Sequence, residues 1–186
     1  MNTTAINKRA VVMTMGVDAM MIAAACAIPA FSHLTAVPLY QANPMLMILL
    51  GGMLLVRDRR NAYVMAVLLP LASSLLVGMP SMGKVLCMVP EYLTVVALFG
   101  LLNKRMGGSV MKTAAEMLLA MVAGKVVYYG LKAVVLGSLV ATPLALQVVV
   151  MMVAALTFAL IYTRKQNRYD SNRATPRGAL KAFCKK

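Results

Sequence analysis

The sequence predicts an all-α integral membrane protein, a six-helix transmembrane bundle with both termini in the cytoplasm. Three observations predict it. Of 186 residues, 61% are hydrophobic and the mean hydropathy is +0.80, which leaves too little polar surface to cover a water-soluble fold of this size. Its apolar stretches approach the roughly 20 residues that a helix needs to cross hydrocarbon, and they run around the helix rather than along one stripe. Its basic residues gather in alternate connecting segments.

The first span is expected over 10–31. A basic start before an apolar stretch partly resembles a signal peptide, but the stretch is too long and Asp18 interrupts it. No small-x-small site leads into a polar mature sequence, so it reads as a retained span. Gly16, Ala19, Ala23, Ala27 and Ala30 recur at three- and four-residue intervals, a spacing that forms a flat strip for close helix approach. Internal packing and docking to a partner membrane protein both account for that strip. Pro29 bends the helix or helps to finish it, and Asp18, next to the strip, has no assigned role.

The second span, 44–56, is short. The segment before it, HLTAVPLYQAN, is apolar but broken by Pro38, Asn43 and Pro44, and such a stretch is able to dip back into the protein instead of crossing. Further spans are expected over 62–77, 85–102, 111–139 and 143–163, the fifth being long enough to tilt or project. Residues 1–163 are thus expected to make one six-span transmembrane domain. Residues 164–186 make a basic cytoplasmic tail, disordered or lying on an anionic leaflet.

Charge sets the orientation. Lys8, Arg9, Arg57, Arg59, Arg60, Lys104, Arg105, Lys112 and the basic tail fall on one side, and Lys84 stands alone on the other. The positive-inside rule places the first group in the cytoplasm and requires an even number of spans. The net charge of +14 reads as topology and contact with anionic lipid; no aromatic-spaced basic groove argues for nucleic acid. The expected location is the cell (inner) membrane.

Enzyme chemistry is not expected, and neither is a metal or cofactor. Cys26, Cys87 and Cys184 lack metal-ligand spacing, and His33 is the only histidine, which excludes the HExxH motif. Ser73 and Ser74 have no other histidine to serve them. The acids Asp18, Asp58, Glu91, Glu116 and Asp170 are scattered. No phosphate loop of the GxxxxGK[ST] type is present.

A binding site is legible instead. Lys125 and Lys132, seven residues apart on the fifth span, share an azimuth within ~20°, flanked by Tyr128 and Tyr129. Counting from the expected outer ends, Glu91 lies ~9 Å deep, Lys132 ~8 Å and Lys125 ~18 Å. That puts Glu91 between the two lysines in depth, with Gln147 at a similar level. Charges inside a span are costly and face protein or a wet cavity. A Glu91–Lys125 ion pair locking helices four and five is one reading. An outward-opening ligand cavity is the preferred one, since two amines and one acid leave a positive charge unmatched. Asn43 and Lys84 complete the candidate set. Lys125 is expected to meet an anionic ligand group, and Glu91 a cationic or hydroxyl-bearing one. Glu116 falls on the opposite face, near the cytoplasm.

With its even span count, alanine-rich first helix, the TAVPLYQANPM segment before a short second span, and LLGGMLL followed by a basic turn, the chain resembles the substrate-binding membrane subunits (S components) of energy-coupling factor vitamin transporters. The resemblance covers nearly everything up to Thr163. It implies a small vitamin or precursor, such as a vitamin B6-like heterocycle, held in an outward-facing cavity lined by helices four to six. The loop from His33 to Asn43 would contribute a lid. It further implies that Ala19, Ala23 and Ala27 rest on a transmembrane coupling subunit, that two ATPase subunits supply energy, and that the subunit topples to release its cargo. A standalone secondary carrier or a channel is the alternative, although no internal repeat of the kind common in carriers is evident.

Overall fold

The computed structural model describes residues 3–35, 43–56, 58–106, 109–137 and 144–183. Every regular element in them is helical: α1 (Thr3–Thr35), α2 (Pro44–Leu55), α3 (Arg59–Val77), α4 (Met82–Met106), α5 (Val110–Leu136) and α6 (Leu144–Phe183). Five are long and apolar enough to cross a membrane, and α2, with 12 residues, is not. Helices suit that solvent because each satisfies its own backbone groups. Side-chain hydroxyls follow the same rule. Thr94, Thr113, Thr157 and Thr163 each donate to the carbonyl four residues earlier, at 2.6 to 3.2 Å.

Local chemistry sets the ends. Asp58 caps α3 by accepting from the Arg60 amide at 3.0 Å, which starts the helix three residues before the expected Ala62. Gly78 ends α3 and Gly137 ends α5, at φ 74° and 59°. These left-handed conformations favour glycine. Pro44 opens α2, where its missing N–H costs nothing. Pro70 and Pro90 lie inside α3 and α4 and remove one ladder bond each.

Helices α3, α4, α5, α6 and α2 touch in that order and close back on α3, making a ring, with α1 packed outside against α2 and α3. Leu46, Leu49, Met65, Leu69, Tyr92, Val95, Met117 and Met121 fill the centre. Lipid is as apolar as these side chains, so fit rather than water exclusion holds the helices together. At Gly124 two helices meet closely against backbone: a Cβ there would lie 2.7 Å from Val95 Cγ2 and 3.1 Å from the Glu91 carbonyl oxygen. Across the ring, Phe99 meets Phe158 edge-on at 5.1 Å and Tyr162 at 5.6 Å.

Two expectations about α1 change. Met21 and Ala25 face the core, while Gly16, Ala19, Ala23 and Ala27 are exposed, so the small-residue strip does not pack inside this chain. Asp18 is not beside the strip either. At about 100° per residue it sits ~140° away, on the packed face, where it accepts a 2.8 Å bond from Asn61 Nδ2 of α3. The tail also differs: α6 continues unbroken past Thr163 to Phe183, so this part of it is helical rather than disordered. Residues 36–42 of the expected lid lie outside the described residues.

Candidate functional site

Asn43 is where the site begins. It holds a left-handed conformation, φ 49° and ψ 58°, just before Pro44, and its side chain makes no cap bond to its own helix. Both ends of its amide reach α4. Nδ2 donates to Glu91 Oε1 at 3.1 Å, and Oδ1 accepts from the Tyr92 hydroxyl at 2.8 Å. The N-terminus of α2 therefore abuts Glu91, and its positive dipole end favours a carboxylate there.

Lys125 Nζ approaches the same Glu91 oxygen at 2.8 Å, with side-chain exposures of 16% and 1% for lysine and glutamate. The ion-pair reading is thus realised in the geometry. It cancels the Glu91 charge, so the net positive charge of the three ionic groups is that of Lys132. The order in depth is as expected, with Glu91 between the two lysines, but the spacing changes because α4 starts at Met82 and α5 stops at Leu136. Glu91 is then ~14 Å and Lys125 ~17 Å from those ends, which makes the pair nearly level.

Beside the pair, Lys125 Nζ stands 5.1 Å from the Tyr128 ring centroid and Lys132 Nζ 6.0 Å from that of Tyr129. The two phenol rings meet edge-on at 5.4 Å. Tyr129 donates to Gln147 Oε1 at 2.8 Å, tying α5 to α6. A cavity of about 260 Å³, open space at its mouth included, lies between α2, α5 and α6. Asn43, Lys125 and Gln147 give it a polar edge, and Met47, Met121 and Met151 an apolar wall.

Seven of the eight candidates, Asn43, Glu91, Lys125, Tyr128, Tyr129, Lys132 and Gln147, thus fall in one linked region. Lys84 is exposed in the first turn of α4, two turns above Glu91, and no described contact joins it to the group. Comparison with family models, curated proteins and solved structures returns no match. Geometry alone carries the functional reading.

One atom stands out within it. Glu91 Oε2 is buried and has no hydrogen-bond partner, although Oε1 has two. A buried acceptor left unpaired costs ~1–3 kcal/mol, so a donor brought to this oxygen would be stabilising. Tyr92, fully buried, is not among the residues the sequence singles out, because one tyrosine in a span gives no periodic signal. Its position next to Glu91 was the available clue. Glu116 is buried too, with both carboxylate oxygens unpartnered, and lies apart from this region.

Proposed function

We propose that this chain is the membrane-embedded binding subunit of an uptake system for a small water-soluble vitamin or precursor. It would receive its solute from the Lys84 side, with both termini cytoplasmic, in the cell (inner) membrane. Partner ATPases would supply the energy through a transmembrane coupling subunit, and this chain would perform no covalent chemistry.

One observation carries the reading: the half-length helix α2 ends inside the bundle on a buried carboxylate and lysine, next to a cavity. Interrupted helices whose ends meet polar groups at mid-depth are how transporters hold solutes without exposing backbone to lipid. The unpartnered Glu91 Oε2 suits a ligand N–H or hydroxyl, Lys125 suits an acceptor, and the methionine wall suits an aromatic ring. The exposed strip of Ala19, Ala23 and Ala27 supports a flat face for the coupling subunit.

Native mass spectrometry of the gently purified chain tests this. A single copurified small molecule is expected on the wild type and is expected to be missing from Glu91→Gln. Equal ligand occupancy in the two proteins would overturn the site. A standalone carrier is the second reading, favoured by the same broken α2. Uptake by the purified chain in liposomes without ATP would decide for it.

A further inference from the structure

A second cavity lies at the arginine-rich end of the ring, where α2, α3, α4 and α6 diverge. It is an open groove, about 540 Å³ when the solvent-filled space at its mouth is counted. Its floor is apolar and aromatic, formed by Val96, Phe99 and Phe158, all buried. Val56, Asp58 and Arg59 line it where α2 ends and α3 begins.

The charge around that rim is predominantly positive. Arg59 and Arg60 are exposed in the first turn of α3. Lys165 reaches from α6 to the Leu54 carbonyl at the end of α2, which brings a third cation to the same corner. Asp58 is the acid present, and its Oδ1 is engaged by the Arg60 amide. The cavity thus runs from a cationic rim at the helix ends to an aromatic floor one to two turns deeper.

We propose that this cavity binds one anionic phospholipid, its phosphate on Arg59 and Arg60 and one acyl chain against Phe99 and Phe158. The direction fits a lipid in its own leaflet, with headgroup at the helix ends and chain parallel to them. Near-surface cations contribute ~1 kcal/mol each toward an anionic headgroup, about fivefold in affinity. The floor supplies chain contacts insensitive to headgroup.

Gly100 gives a clean way to block the chain. It lines the cavity, and a Cβ there would meet nothing within 4 Å, so a side chain can start there and Gly100→Leu carries it into the groove. The delipidated full chain is loaded with phosphatidylglycerol or phosphatidylcholine of matched chains and examined by native mass spectrometry. One phosphatidylglycerol per chain is expected to survive activation that strips phosphatidylcholine. Arg59→Gln with Arg60→Gln is expected to lower its retention to the phosphatidylcholine level, and Gly100→Leu to lower retention at least about fivefold. Equal retention of the two lipids by the wild type overturns the proposal. So does unchanged phosphatidylglycerol on folded Gly100→Leu, which would mean binding around the protein rather than in it. A stable dimer that excludes lipid would assign the cavity to a second copy. Should Gly100→Leu fail to fold, the wild-type lipid preference and the arginine variant still decide.

Discussion

Glu91 and Lys125 neutralise each other at a place where the carboxylate is fully buried and the ammonium keeps a narrow outlet. Removing one partner of a buried pair typically costs ~3–5 kcal/mol, because the other charge is stranded. Lys125→Met is therefore expected to destabilise the folded chain by about 3 kcal/mol in a denaturation series in micelles. Glu91→Gln should cost less, since the ammonium is partly exposed and able to shift toward water. The double variant should recover most of the stability yet still fail to bind ligand, which separates the structural part of the pair from its recognition part. Wild-type stability in Lys125→Met would mean that the pair does not form. Asn43 makes a second case. Asn43→Ala forfeits two side-chain bonds and places a Cβ-bearing residue without a local polar group in the left-handed region, for about 2 kcal/mol. Asn43→Gly keeps the conformation and loses only the bonds, so its smaller shift in melting temperature measures the difference. Sequence alone picked out Asn43 as part of a broken stretch and as a candidate, but two donors and acceptors on consecutive residues of another helix are a tertiary fact that no local spacing encodes.

At the scale of elements, helix contact rests on where side chains are missing. A methyl at Gly124 would run into Val95 and the Glu91 backbone, whereas one at Gly52 would meet only the flexible end of Met21. Gly124→Ala should push α5 away from α4, cost ~1–3 kcal/mol and weaken ligand binding through the displaced pair. Gly52→Ala should leave both melting temperature and binding near wild type. If Gly124→Ala behaves like Gly52→Ala, the close approach of the two helices is wrong. The helices themselves were legible from apolar run length, and their ends were the less certain part. Asp58 moved the start of α3 through capping while Gly78 ends it at the expected Val77, and the earlier start of α4 is what levels Glu91 with Lys125. The small-residue spacing on α1 was visible in the chain, but which face it turned to the core depended on Met21, Ala25 and the Asp18–Asn61 bond.

For the whole molecule, crossing number decides where the termini lie. At 1.5 Å per residue α2 covers only ~18 Å of a hydrocarbon core of about 30 Å. Its N-terminus, however, is held level with Glu91, ~14 Å from the outer start of α4. On the six-passage topology proposed above, both termini are cytoplasmic. Reporter fusions at residue 1 and residue 186 are then expected to give the same cytoplasmic signal. Opposite signals would leave α2 as a re-entrant element and the crossing number at five. The charge distribution along the chain carries this expectation by itself. The ring arrangement was not legible, because span order along the chain says nothing about α2 closing the circle between α6 and α3.

The uninterrupted length of α6 has a mechanical consequence. Its membrane-compatible stretch ends at Arg168, and the helix goes on to Phe183, a further ~22 Å. A helix of that reach, even with Pro176 inside it, acts as a boom fixed to the wall of the cavity beside Lys125. Any tilt of the bundle would be magnified at its tip, and a soluble protein gripping the tip would hold leverage over Gln147 and Met151 at the far end.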